Sequence, residues 1–370
     1  MREREMTADL VERFETQSVT AESVTVAVTL RGAAELALGA VGPEGERSEV
    51  SISCDGIARG TLAGLRAGTR YTIEARAEGT LLHSAAVRTL AAPQGAVLAS
   101  FGVLADTHLS VRTAIRHGRL FPEAEVILRD VLREMAGLGL DFILLAGDVT
   151  DQGLPEEYAT ARRALAEASC PVLAVPGDHD VKHGLGRFEG SFGPARWVRE
   201  IAGMTVVGCN TSSRSLHREG AGHLSAALRS ASGKPVLIVS HTQLVPDGYI
   251  VDADKVAQDH ADYAAQVVPL IPDGSLAYVG HKNVPAQHRA GGLLQINVPQ
   301  TVQYPCGWLL VRRYANGFHH TFRPIFSEGL NDLSRRASNA RGAPKWTESY
   351  RRGGGPELWN FVAGKEGVLG

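Results

Sequence analysis

Cysteine is scarce in this chain, and its four cysteines stand far apart in the sequence. No two of them form a CxxC pair, which argues against a zinc knuckle and against a disulfide framework. We therefore expect reduced thiols, most of them buried, as is usual for free cysteine. The four residues are Cys54, Cys170, Cys209 and Cys306.

The chain also lacks a long apolar segment and a marked net charge. No run approaches the roughly 20 apolar residues that cross a bilayer, and the N-terminal stretch MREREMTADLVERFE has no apolar core of a signal peptide. The formal net charge is −2, so no broad attraction to nucleic acid or anionic lipid is expected. The sequence predicts a soluble, cytoplasmic protein that binds neither nucleic acid nor membrane, and it leaves oligomerisation open.

The sequence pattern of residues 1–95 is typical of a small all-β domain. The stretches ESVTVAVTL, YTIEARAEG and HSAAVRTL alternate apolar and polar residues, and glycine-rich turns separate them. The stretch AAPQG at 91–95 is typical of a linker. We therefore expect a β-domain over 1–95 that is joined by a short linker to the rest of the chain.

From residue 97 onward, short apolar strands alternate with segments of helical periodicity. EAEVILRDVLREMAG repeats apolar residues at i and i+4, and LPEEYATARRALAEAS carries a proline near its start, as many helices do. This alternation predicts an α/β fold with a sheet buried on both faces. We assign a second domain to 96–326 and a C-terminal extension to 327–370.

Polar side chains follow five of these predicted strands at the point where each strand ends. In α/β sheets, functional sites form at the carboxyl ends of the strands, so we expect these side chains to converge. A mixture of carboxylate and imidazole ligands suits Mn, Fe or Zn better than Ca or Mg. The candidates are Asp106, His108, Asp148, Asp151, Asp178, His179, His241, His281 and Asn283.

Two features of spacing suggest that this site holds more than one ion. Asp106 and His108 are two residues apart at a strand end, so both can face one ion. Asp148 follows the neighbouring strand, and one carboxylate can touch both ions of a two-metal site when these are about 3.5–4 Å apart. We expect Asp148 to be such a bridge.

The ordered set of motifs resembles the calcineurin-like metallophosphoesterase superfamily. That family carries D-x-H, G-D-x-x-D, G-N-H-[DE], a lone His and G-H-x-H. Here the corresponding segments are DTH at 106–108, GDVTD at 147–151, GDHD at 177–180, His241 in VSHTQL and GHKN at 280–283. The resemblance covers roughly residues 97–325 and implies a β-sandwich core flanked by helices.

Two further resemblances refine this interpretation. RFEGSFGP, after the third motif, is similar to the cyclic-nucleotide and glycerophosphodiester phosphodiesterase branch. LAGLRAGTRY resembles a fibronectin type III segment, although Ala67 stands where proline is usual, and it implies a small fibronectin type III-like sandwich before the catalytic domain. Asp151 stands where purple acid phosphatases carry a tyrosine ligand, so we do not place the chain with them.

The superfamily resemblance also implies roles for the candidate residues. One ion would be held by Asp106, His108, Asp148 and Asn283, and the other by Asp148, Asp178, His241 and His281. His179 would contact the substrate and protonate the leaving group, and Asp151 would support catalysis by orienting ligands. The implied activity is hydrolysis of a small phosphomonoester or phosphodiester by a metal-activated hydroxide. The implied cofactors are two divalent or trivalent ions, with Mn or Fe favoured and Zn as an alternative.

The sequence departs from the family pattern at two ligand positions. Asp178 stands where asparagine is usual, and Asn283 stands where the last histidine is usual. The first change adds a carboxylate, which should repel a phosphate unless a cation offsets it. Two alternatives therefore stay open: a degenerate member that binds a ligand or partner without hydrolysis, and a different metal-assisted reaction through the altered ligands.

Overall fold

The structure is a computed structural model that describes residues 10–246, 260–282, 284–339, 355–364 and 367–369. The N-terminal part is an antiparallel five-stranded sheet in the order β1-β2-β4-β5, with β3 also paired to β2. Its strands are β1 (Val11–Val19), β2 (Ser23–Val41), β3 (Arg47–Ala63), β4 (Arg70–Ala77) and β5 (Thr80–Arg88).

The long strand β2 organises this sheet because it pairs with three neighbours. Its first part pairs with β1, its last part with β4, and β3 runs beside it over most of its length. Alternate β2 residues such as Val24, Val26 and Val28 are fully buried, which is the period-2 pattern of a strand with one face on a core. The all-β prediction for this region agrees with the sheet, and its fibronectin type III character stays a prediction.

The remainder is built on two further sheets. The seven-stranded sheet has the order β18-β17-β16-β15-β6-β7-β8, and the six-stranded sheet has the order β13-β14-β12-β11-β10-β9. Their strands are β6 (Ala99–Leu104), β7 (Phe142–Ala146), β8 (Val172–Val175), β9 (Trp197–Ile201), β10 (Met204–Gly208), β11 (Val236–Ser240), β12 (Ser275–Val279), β13 (Gln287–Ala290), β14 (Leu293–Asn297), β15 (Gly307–Tyr314), β16 (Gly317–Pro324), β17 (Phe361–Gly364) and β18 (Gly367–Leu369).

Helices cover the outer faces of this sandwich. The described helices are α1 (Ala124–Ala136), α2 (Pro155–Leu165), α3 (Leu185–Phe192), α4 (His217–Ser230), α5 (His260–Val267) and α6 (Glu328–Asn339), with short 3₁₀ turns at Phe121–Glu123, Val268–Leu270 and Gly355–Trp359. Helices α1 to α3 pack on the seven-stranded sheet, and α4 and α5 pack on the six-stranded sheet.

Aromatic and β-branched residues fill the space between the two sheets. Phe101 stacks on Phe142 from one sheet and meets Tyr278 of the other edge-on. Alternate residues of the same strands face the helices, so each central strand is apolar on both sides. The predicted α/β class with a β-sandwich flanked by helices is therefore confirmed.

The C-terminal part completes the seven-stranded sheet and touches the N-terminal one. Strand β17 pairs with β16, and Val362 of β17 packs into the core of the N-terminal sheet. The Asn360 side chain accepts a hydrogen bond from the Val19 N–H and donates one to the Gln17 carbonyl. Within the part of the chain that the structure describes, no helix is long and apolar enough to cross a bilayer.

Candidate metal centre

The candidate residues lie in loops at one edge of the sandwich. Strands β6, β7 and β8 are parallel neighbours in one sheet, and β11 and β12 are parallel neighbours in the other, so their carboxyl ends meet. The first two loops are joined by backbone bonds, from the Asp106 N–H to the Gly147 carbonyl at 3.0 Å and from the His108 N–H to the Asp148 carbonyl at 2.9 Å. The strand-end rule thus brings the predicted side chains together.

Four of these side chains sit on backbone of the left-handed region. The φ angles are 53° at Asp106, 41° at His108, 50° at Asp148 and 63° at His281. Non-glycine residues seldom adopt this region, and each such position costs on the order of 1–3 kcal/mol. Strain concentrated in four loop residues that converge on one point is typical of a functional centre.

The glycine of each motif allows the loops to approach closely. A Cβ at Gly177 would come within 3.0 Å of both the side chain and the backbone N of Asp148. A Cβ at Gly280 would lie 2.6 Å from the Ala146 carbonyl and 2.9 Å from Asp106 Oδ2. These glycines are therefore part of the geometry of the site and not only turn formers.

One group of potential metal ligands consists of Asp148, Asp178, His241 and His281. His241 Nε2 lies 3.3 Å from Asp148 Oδ2 and 3.3 Å from Asp178 Oδ1, and His281 Nδ1 lies 3.2 Å from the same Asp178 oxygen. Two carboxylates and two imidazoles within this reach form a mixed oxygen and nitrogen donor set.

The orientation of His241 suits ligation. Its Nδ1 lies 2.9 Å from the Ala146 carbonyl, which can only accept, so the Nδ1 proton is held there and Nε2 points at the carboxylates. Burial disfavours the imidazolium, yet the facing Asp148 and Asp178 raise the pKa of His241 well above its usual range. The negative field that binds a proton here would also bind a cation.

A second group, Asp106, His108 and Asp148, adjoins the first and shares Asp148 with it. His108 Nε2 lies 3.8 Å from Asp106 Oδ1 and 3.8 Å from Asp148 Oδ2, distances that leave room for an ion between the donors. Neither ring nitrogen of the fully buried His108 has a hydrogen-bond partner among the described residues. A buried imidazole whose nitrogens have no such partner is well suited to bind a metal ion.

Asp106 is held in place by two donors. The His281 N–H donates to its Oδ2 at 3.1 Å, and Gln300 Nε2 donates to its Oδ1 at 3.3 Å. Burial, reinforced by the charge of nearby Asp148, raises the pKa of Asp106 to about 7. Two buried carboxylates that repel each other across His108 are stabilised by a cation, so the residues present fit a two-metal centre.

His179 and Asp151 lie beside this centre. His179 Nδ1 is 2.7 Å from the Asp151 carbonyl and 3.3 Å from Asp151 Oδ1, and the rings of His179 and His108 are 4.7 Å apart. Arg112 Nε donates to Asp151 Oδ2 at 2.5 Å. Burial opposes ionisation of Asp151, but His179 and Arg112 lower its pKa well below the usual range, so Asp151 is an anion that orients His179.

Asp180 links the loop that carries Asp148 to the loop that carries Asp178. This fully buried carboxylate accepts hydrogen bonds from the backbone N–H groups of Val149, Thr150 and Gly177. It therefore fixes the loop of Asp148 against the loop of Asp178 without itself belonging to the ligand groups.

The structure brings together eight of the nine candidates, in the groups described above. Asn283, the remaining predicted ligand, lies outside the described residues. Sequence reasoning missed Arg214, whose Nη2 lies 3.1 Å from Asp178 Oδ2. The signal was present, since Arg214 follows β10, an apolar strand parallel to β11 that ends in the polar run CNTSSR.

Comparison with known proteins agrees with this geometry. Residues 99–281 match the family model for the calcineurin-like phosphoesterases. The chain therefore carries the catalytic domain of the calcineurin-like metallophosphoesterase superfamily, as its motifs predicted, and it is a metal-dependent phosphoester hydrolase.

The chain is also similar to individual proteins of known or assigned class. A probable cyclic nucleotide phosphodiesterase of Ruthia magnifica is 24% identical over 181 residues, which are 48% of this chain and 76% of the relative. The glycerophosphodiester phosphodiesterase GpdQ of Enterobacter lignolyticus is 33% identical over 81 residues, which are 21% of this chain and 28% of the relative. A dimetal phosphatase structure from Danio rerio shares the fold, with a TM-score of 0.53 at 13% identity over 62% of this chain and 97% of its own.

Proposed function

We propose that this protein hydrolyses a small phosphodiester at a two-metal centre. The observation that carries the proposal is the pair of ligand groups that share Asp148, with His179 directly beside them. A shared carboxylate between two sets of buried donors is the arrangement that positions two ions a few ångströms apart.

The ligands divide between two ions. Asp106, His108 and Asp148 would hold one, together with Asn283, and Asp148, Asp178, His241 and His281 would hold the other. When bound, the ions supply an acidified water as nucleophile and polarise the phosphoryl oxygens. Three carboxylates among imidazoles favour Mn or Fe, with Zn as the alternative.

Charge favours a diester over a monoester. At neutral pH a phosphodiester carries one negative charge and a phosphomonoester close to two. Asp178 adds an anion to the centre, so the dianion is repelled more strongly than the monoanion. The names of the two relatives, a probable cyclic nucleotide phosphodiesterase and a glycerophosphodiester phosphodiesterase, point to the same substrate class.

His179 is placed to donate a proton to the leaving group. His179 Nδ1 lies 2.7 Å from the Asp151 carbonyl and 3.1 Å from Lys182 Nζ, so this nitrogen contacts the protein and Nε2 is left for the substrate. Asp151 and Arg112 hold the ring in this orientation. The His179 side chain is 20% exposed, so a substrate can reach it, whereas the His108 side chain is completely buried.

A substrate panel tests this function. Protein stripped of metal and reloaded with Mn²⁺, Fe²⁺ or Zn²⁺ should hydrolyse bis-(p-nitrophenyl) phosphate, a cyclic nucleotide or a glycerophosphodiester, and should prefer these to p-nitrophenyl phosphate. The stripped protein should be inactive. Preference for the monoester in every metal form would contradict the diester assignment, and inactivity on all substrates with both sites filled would contradict hydrolysis.

A further inference from the structure

The two oxygens of Asp178 face different partners. Oδ1 is directed inward, 3.3 Å from His241 Nε2 and 3.2 Å from His281 Nδ1. Oδ2 is directed outward, 3.1 Å from Arg214 Nη2. The inner oxygen therefore belongs to the metal site, while the outer oxygen is neutralised by a guanidinium.

An asparagine at 178, the residue usual in the family, would not fit this arrangement. Its amide oxygen could replace the inner carboxylate oxygen, but its NH₂ group would then face Arg214. An amide NH₂ and a guanidinium are both donors and cannot satisfy one another. Arg214 is thus matched to aspartate, and the two residues form a unit.

The loop of Arg214 is fastened to the site. The buried Thr211 hydroxyl accepts from the N–H groups of His241 and Thr242, at 3.1 Å and 2.9 Å. The Arg214 N–H donates to the Thr211 carbonyl at 2.8 Å, and Arg214 has a φ of 61°. The side chain that reaches Asp178 is therefore carried by a turn that is anchored to the loop of His241.

We propose that Arg214 is a positioning residue that lets Asp178 serve in place of asparagine. By pairing with Oδ2, it reduces the repulsion between the extra carboxylate and an incoming phosphoryl group, while Oδ1 stays available to the metal. This inference rests on the proposed metal and phosphate chemistry of the centre. It assigns Arg214 an effect on anion binding that is exerted through Asp178.

A double-mutant cycle tests the proposal with inorganic phosphate and Mn²⁺ as probes. Calorimetry would measure phosphate binding to the Mn²⁺-loaded protein and Mn²⁺ binding to the stripped protein. Arg214→Ala should weaken phosphate binding about ten- to hundred-fold, the effect of leaving a charged hydrogen-bonding group without its partner. Mn²⁺ affinity should not fall, because the centre becomes more negative.

Rescue distinguishes this role from a merely structural one. Asp178→Asn introduced into Arg214→Ala should restore most of the phosphate affinity, and Arg214→Lys should retain most of it because the charge is kept. Arg218→Ala is the matched control: Arg218 is exposed on the first turn of α4, and its loss removes the same charge.

Each outcome decides between the two proposals. Phosphate affinity in Arg214→Ala equal to that in Arg218→Ala, or no rescue by Asp178→Asn, would overturn the role of Arg214 and leave the proposed function standing. Absence of phosphate binding in the Mn²⁺-loaded wild type would overturn both.

Discussion

Among individual side chains, charge balance sets the character of the centre. Asp106 and Asp148 are both buried, but their pKa values shift in opposite directions: burial and the charge of Asp148 raise the pKa of Asp106, whereas His241 and His108 lower the pKa of Asp148 despite its burial. Asp178 adds a third carboxylate that Arg214 meets from outside. An anionic substrate can therefore enter only when cations offset these carboxylates. The metal ions would do so inside the cluster, and Arg214 does so outside it.

His179→Gln separates proton donation from metal binding. We expect kcat for a diester with an alkoxide leaving group to fall about 10²–10⁴-fold, because a general acid is lost. A p-nitrophenyl diester should lose much less, since its leaving group departs without a proton. Metal content, measured by elemental analysis, should be unchanged. An equal loss on both substrates would contradict the role of His179 as a proton donor.

At the level of strands and loops, the site depends on the close approach of neighbouring backbone segments. Strands that are apolar on both faces end at one edge, and the loops after β6, β7, β8 and β12 contain left-handed backbone or a glycine where they present their ligands. The ligands are therefore fixed by the loops that carry them as well as by their own hydrogen bonds.

Gly177→Ala should damage the centre although it replaces no ligand. The new Cβ would collide with Asp148, and overpacking of this kind costs about 1–3 kcal/mol. We expect Mn²⁺ affinity to fall at least about tenfold, measured by calorimetry. Gly186→Ala in α3 is the control, because a Cβ there meets nothing within 4 Å. Equal affinities in the two variants would show that the Gly177 approach does not position Asp148.

The strand ends and their polar residues could be predicted from the sequence because period and position are local signals. The ligand groups followed from the rule that parallel strands end together. Arg214 could not be assigned to Asp178 in this way, since no rule of spacing pairs residues 36 positions apart. The left-handed backbone at His108 and His281 was equally hidden, because it is imposed by the loops packed around it.

Across the full chain, a buried ion cluster joins the N-terminal sheet to α6. Glu328, at the start of α6, accepts from Arg13 at 2.8 Å and from Arg59 Nε at 3.0 Å. Glu15 accepts from the Tyr304 hydroxyl at 2.5 Å, and Tyr304 lies in the segment that also carries Gln300, the donor to Asp106. The N-terminal sheet therefore braces a loop of the metal centre, a long-range contact that the sequence alone does not reveal.

Glu328→Gln tests this cluster through stability. Burial alone would raise the pKa of Glu328, but Arg13 and Arg59 lower it below its ordinary value of 4.5. Its ionised form therefore stabilises the fold above about pH 4.5, and this contribution is lost as the pH falls through the lowered pKa. The variant should lose about 3 kcal/mol of unfolding free energy at pH 7, because a buried ion pair is broken.

The pH dependence provides the check. Urea denaturation of wild type and Glu328→Gln should show a difference that is constant near neutrality and shrinks below pH 4.5. Glu44→Gln, which breaks an exposed ion pair with Arg66, should have the same urea midpoint as the wild type at every pH. A difference between wild type and Glu328→Gln that persists undiminished in acid would contradict the electrostatic origin.

The central claim is that Asp148 joins two metal sites, and metal stoichiometry tests it most directly. Stripped protein would be titrated with Mn²⁺ and its metal content measured by elemental analysis, for the wild type and for Asp148→Asn. We predict two ions per wild-type chain, and loss of most bound metal together with all phosphodiester hydrolysis in the variant. One ion in the wild type, or full metal content in Asp148→Asn, would contradict a two-metal centre bridged by this residue.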